Sequence, residues 1–126
     1  MQVTGPSPAR FTFDRSGGAT ISASVALWAP TPVTAAAPAS QSSWRFAGQA
    51  VFQDLSQAHE VQDIPLAPGD YLAILQVDVE ESLNGRYTFG LGAMGHALFA
   101  DNGNVDTTSA SNDSMSFKDR FVVTIV

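Results

Sequence analysis

An antiparallel β-sandwich of about seven or eight strands, of jelly-roll or Greek-key type, is the fold this sequence predicts. Three observations predict it. Apolar residues recur at every second position along most of the chain, Gly/Pro/Asn punctuation separates those runs, and no segment carries a helical stripe. At 126 residues, 44% of them hydrophobic, the whole chain 1–126 is expected to form one domain around one core.

"RFTFD" near the start is a short alternating run. "TISASVALW" sets Ile21, Ala23, Val25 and Leu27 on one face, with Ser22, Ser24, Ala26 and Trp28 opposite. Three prolines make "APTPVTAAAPASQSS" (29–43) a long surface crossover, which suits a Greek key. "WRFAGQAVFQ" puts Trp44, Phe46, Ala50 and Phe52 on one side, so Trp44 is expected in the core with most of the phenylalanines. "HEVQDI" is the weakest strand signal. Pro68-Gly69 fits the centre of a type II turn, since proline presets φ and glycine accepts φ > 0. "DYLAILQVDVE" then aligns Tyr71, Ala73, Leu75, Val77 and Val79. Asn84-Gly85 is a hairpin signal leading into "RYTFGL". "HALFA" is short, and the closing "MSFKDRFVVTIV" aligns Met115, Phe117, Phe121, Val123 and Ile125.

Composition narrows the chemistry. The absence of cysteine excludes disulfide scaffolds, cysteine zinc sites and thiol catalysis. Net charge is −6 and the six bases are scattered, which argues against a nucleic-acid partner. No run approaches the length of a membrane span, and "MQVTGPSPAR" does not read as a signal peptide, so a soluble chain without a membrane partner is expected.

The catalytic motifs fail on context. "GLGAMG" (90–95) satisfies G-x-G-x-x-G, but no helix of useful length can follow before "DNGN"; a strand end with glycine turns is the expected reading. Ser7 lies between Pro6 and Pro8, unlike a nucleophile elbow. His59 and His96 are far apart and read as surface residues. Glu80 and Glu81 are adjacent on a strand and so point to opposite faces. No enzyme is expected.

The window "ADNGNVDTTSASNDSMSFKDRF" is different. It gathers Asp101, Asp106, Asp113 and Asp119, the oxygen-rich composition that hard cations such as Ca²⁺ require. An EF-hand is excluded, because Thr107 stands where the turn glycine belongs and Asp113 where the last glutamate belongs. A non-EF calcium site remains open. On strict alternation Asp119 shares a face with Phe117 and Phe121, where a carboxylate must be paired, rotated out by a bulge, placed beyond the core or bound to metal.

"NDSMSF" followed by "FVVTI" resembles the Asn-Asn-Ser-type loop and last strand of the calcium-dependent galactose-binding bacterial lectins. The resemblance covers about a fifth of the chain. It implies Asn112-Asp113 as paired ligands, Asp101 as the upstream acid, and calcium holding sugar hydroxyls. The intervening stretch is longer here, and "KDR" falls within the final strand.

Trp28 has outward parity at a strand end, where an exposed indole could stack on a sugar ring or anchor a partner, unless the following loop buries it. The expectation is therefore a non-catalytic, lectin-like carbohydrate-binding module, possible calcium assistance included, with Trp28, Asn104 and Asn112 at the ligand. The alternative is a structural or assembly subunit, of phage, secretion-system or coat type. It would act through protein–protein contacts or as a homo-oligomer, because Leu72, Ile74, Val122 and Val126 add apolar residues to outward faces.

Overall fold

The computed structural model describes residues 1–30, 44–105 and 114–126. Every element among them is a strand. In chain order they are β1 (Gln2–Gly5), β2 (Ala9–Ser16), β3 (Thr20–Pro30), β4 (Trp44–Phe52), β5 (His59–Ile64), β6 (Gly69–Glu80), β7 (Arg86–Ala93), β8 (His96–Asn104) and β9 (Ser114–Ile125). Two sheets pack face to face, one ordered β1-β9-β6-β3-β4 and the other β5-β2-β7-β8. All pairings are antiparallel except β1 with β9. The sandwich is as expected, with β1 as a strand that the prolines after it obscure in sequence.

The period-two pattern explains the core. Ile21, Val25 and Leu27 on β3, Leu75, Val77 and Val79 on β6, and Val123 on β9 are buried against Phe11, Phe13 and Leu91 of the second sheet. Phe13 stacks on Phe52 across the interface, at 5.5 Å between centroids. Such pairs contribute ~0.5–1.5 kcal/mol beyond the area they bury.

Three expectations about connections and faces are corrected. β3 and β4 are neighbours, with Pro30 opposite Trp44, so segment 29–43 joins a hairpin within one sheet and is no crossover. Residues 31–43 themselves lie outside the described residues. Asn84-Gly85 connects β6 to β7, which belong to different sheets, so it makes no hairpin. Its loop is stitched to the β2–β3 turn instead: Leu83 N donates to Gly18 O at 3.0 Å, and Ala19 N donates to Arg86 O at 3.0 Å. The turn needs glycine there, because Gly17 has φ +110° and a Cβ on it would meet Arg86 O at 2.3 Å.

Third, Trp44 and Phe46 are not core residues; they are 53% and 54% exposed. The register of β4 shifts between Leu27 and Trp28: Leu27 faces Gly48 while Trp28 faces Phe46, leaving Ala47 as an extra residue. That bulge inverts the parity of everything before it in β4, so Ala50 and Phe52 point in while Trp44 and Phe46 point out.

One charged side chain ties the sheets together at an end. Arg15 of β2 is buried and pairs with buried Glu60 of β5 at 2.6 Å. Its guanidinium also donates to Ile21 O (3.1 Å), Phe52 O (3.3 Å), Gln57 O (3.1 Å) and Asp54 O, and lies 5.6 Å from the Phe13 ring centroid. Removing the cation orphans a buried carboxylate and four carbonyls. Arg15→Ala is expected to cost about 3–5 kcal/mol, read as a lowered urea midpoint, with much of the loss restored in Arg15→Met/Glu60→Leu. An unchanged midpoint in Arg15→Ala would contradict this account.

Candidate functional site

Both ends of the acidic window lie in strands. Asp101, Asn102 and Asn104 lie in β8, and β9 runs unbroken from Ser114 through Lys118, Asp119 and Arg120. Asp106, Asn112 and Asp113 lie outside the described residues, and with them most of the lectin-like ligand set. Asp101 is half-buried and accepts a bond from the Tyr87 hydroxyl at 3.0 Å. Burial first, then that carboxylate, raises Tyr87 above the ordinary phenol pKa and keeps it a neutral donor. Asn104 is exposed at the end of β8, opposite Arg86.

Asp119 faces Leu75 in a register with no bulge, so its parity is inward as the alternation says. It is nevertheless exposed, beside Met1, Leu98 and Phe99, and its Oδ1 accepts from Arg120 N at 2.8 Å. Its neighbours on the same face are covered: Phe117 meets Phe89 and Phe99, and Phe121 is buried. Asp119 reaches solvent through the hollow beside edge strand β8. Among the described residues, no three His, Asp or Glu side chains come together as a metal site.

Trp28 points outward from the five-stranded sheet, but it is half-buried and meets Phe46 edge-on, at 5.4 Å and 77°. Its Nε1 is buried without a hydrogen-bond partner among the described residues. Perpendicular rings make an apolar corner rather than a flat stacking platform. The structure thus puts Trp28 on one sheet's outer face and Asp101 and Asn104 on a strand of the other sheet.

The outer face of the four-stranded sheet holds a feature that sequence reasoning missed. Gly90 and Gly92 lie in the middle of β7, one pairing with Asp14 and Ala100, the other with Thr12 and Ala97. Neither takes positive φ. A Cβ on Gly90 would meet only Ala100 Cβ, at 4.0 Å. Neither backbone conformation nor packing requires glycine at 90, and glycine inside a strand costs ~0.5–1 kcal/mol relative to alanine. The result is an open trough of ≈ 420 Å³ floored by backbone, with Arg10, Thr12 and Asp14 along one wall and His96 at the other.

The β2 wall is held by β5. Arg10 grips Asp63 with two bonds, Nε to Oδ1 at 2.8 Å and Nη2 to Oδ2 at 2.9 Å. His59 Nδ1 lies 2.5 Å from Asp14 Oδ1. "RFTFD" and "HEVQD" each carry complementary groups four residues apart, a signal that could have paired these strands antiparallel. A further hollow of ≈ 360 Å³ lies beside Arg15, whose donors are already taken by the sandwich itself.

Comparison with protein families, with curated proteins and with solved structures gave no match.

The Arg10 bond holds the Asp63 carboxyl below its ordinary pKa, while Asp54 is lowered mainly by the Ser56 hydroxyl. A depressed folded-state pKa stabilises above the unfolded carboxylate range, and that contribution fades as pH falls through the folded value. In an NMR titration, Arg10→Ala is expected to bring Asp63 up towards the usual value and leave Asp54 in place. An unmoved Asp63 would contradict the wall as drawn.

Proposed function

We propose that this protein is a non-catalytic binding module whose trough over Gly90 and Gly92 takes a saccharide. The carrying observation is Gly90, bare backbone in mid-strand where the fold gains nothing from glycine; Gly92 beside it is accounted for by the register shift there and by Thr12 Oγ1, which a Cβ would meet at 2.8 Å. Such strand glycines often mark a place where a ligand approaches closely. The flanking groups suit sugar hydroxyls, since guanidinium, carboxylate, imidazole and Thr12 hydroxyl together offer donors and acceptors. An open, shallow trough suits a chain lying along the sheet better than a small molecule that must be enclosed.

Asp63 is paired with Arg10, and Asp14 is in contact with His59 Nδ1. Assembly through protein contacts is the second reading, and the outward aromatics of β4 favour it.

A glycan array with the wild-type chain and Gly90→Thr tests the proposal. Threonine has room at 90 and favours strands, so the variant is expected to melt at the same temperature or slightly higher. Saccharide signal present in the wild type is expected to fall at least ~10-fold in the variant, as one blocked contact of ~1.4 kcal/mol implies. The signal is expected to persist in chelator. Binding abolished by chelator but indifferent to Gly90→Thr would move the site to the calcium loop, and an array without hits would overturn the saccharide reading.

A further inference from the structure

β9 changes character at Phe121. From Phe121 to Ile125 its residues alternate between buried and half-buried, whereas from Ser114 to Arg120 every one but Phe117 is exposed. β1 stops at the same point, pairing only with Val122 to Ile125, while β6 runs along the other side of the whole strand. Among the described residues no strand lies against the rest of that side, so Ser114 to Phe121 form an open margin of the five-stranded sheet.

Backbone alternation says which groups are free there. Val122 N donates to Met1 O at 3.0 Å, away from β6. Ser116, Lys118 and Arg120 share its parity, so their N–H and C=O groups also turn to the open side. Arg120 N is taken by Asp119 Oδ1 at 2.8 Å. The amides and carbonyls of Ser116 and Lys118, and the carbonyl of Arg120, face a side that no described strand occupies. The side chains alternate too. Lys118 and Arg120 stand on the outer face beside Ile74, around an open hollow of ≈ 340 Å³, and form no ion pair among the described residues. On the inner face a hollow of ≈ 130 Å³ is lined by Leu75, Leu98, Phe99 and Phe121, with Asp119 beside them.

We infer that an extended, acidic segment of another protein adds to this margin as a further strand, in line with β1. Main-chain bonds to Ser116, Lys118 and Arg120 O hold it, and its alternate side chains are read by the two faces. Residues opposite Lys118 and Arg120 fall on the outer face, where Asp or Glu meets both cations. The residue between them turns inward at the apolar hollow and suits a small aliphatic side chain. Lysine and an inward-pointing carboxylate commonly blunt an edge against unwanted pairing. Here the two cations repel a basic strand and attract an acidic one, so they choose the partner as well as guard the margin. The inference is independent of the saccharide trough, which lies on the opposite sheet.

The test uses a labelled peptide of alternating glutamate and valine, about seven residues long, in fluorescence anisotropy. The wild-type chain is expected to bind it saturably, with a Kd on the order of 100 µM or tighter, and to ignore an alternating lysine–valine peptide. Lys118→Glu/Arg120→Glu, at two exposed positions, is expected to keep its circular-dichroism spectrum, lose the acidic peptide at least ~10-fold and take up the basic one. In the wild type, hydrogen exchange at the Ser116 and Lys118 amides is expected to slow when the acidic peptide is bound. A wild type that does not bind it overturns the inference, as does binding that survives the charge reversal. Binding with unchanged exchange at those amides also overturns it, since that is diffuse attraction of a polyanion and no added strand.

Discussion

The buried guanidinium of Arg15 is the constraint on which the rest of the architecture depends. Its acceptors come from both layers: Ile21 and Phe52 are in the five-stranded sheet, Glu60 is in the other, and Asp54 and Gln57 belong to the connection between them. A cation that must satisfy this many acceptors in one place fixes where β5 lies on β2. That register then aligns Arg10 with Asp63 and Asp14 with His59. The trough wall is thus a downstream consequence of a contact buried elsewhere in the sandwich.

Much of the fold is legible in the sequence because a strand with one buried face repeats every two residues. Ile21 to Leu27 and Tyr71 to Val79 are buried as their alternation says. What could not be read has a common cause. Alternation gives a residue's parity relative to its neighbours, and one extra residue at Ala47 reverses it for Trp44 and Phe46. Nor does alternation name partners. Asn84-Gly85 has hairpin chemistry, yet the strands on either side separate into different sheets.

The candidate site was less legible still. "GLGAMG" stands out in the sequence for a reason unrelated to its role in the fold. Gly95, with φ +83°, makes a turn, while Gly90 and Gly92 are extended strand residues whose missing side chains matter only once Thr12, Ala97 and Ala100 lie beside them. The acidic window misled in the opposite direction. Asp101 is engaged by Tyr87, a residue remote in any local motif, and Asp119 faces solvent despite inward parity. The two outer faces differ in kind: one is bare backbone bordered by the Arg10–Asp63 pair and the His59–Asp14 contact, the other aromatic and aliphatic with Lys118 and Arg120, which form no ion pair among the described residues.

The irregularity at Ala47 has an effect beyond reversing two side chains. β4 is the outermost ribbon of its layer, and its free amide and carbonyl groups would otherwise offer a straight template for another chain to extend the layer indefinitely. The kink breaks the spacing of those groups midway along the margin. The molecule can therefore display a tryptophan and a phenylalanine at its border, where stickiness normally invites fibrous growth, while the ribbon beneath them resists being lengthened.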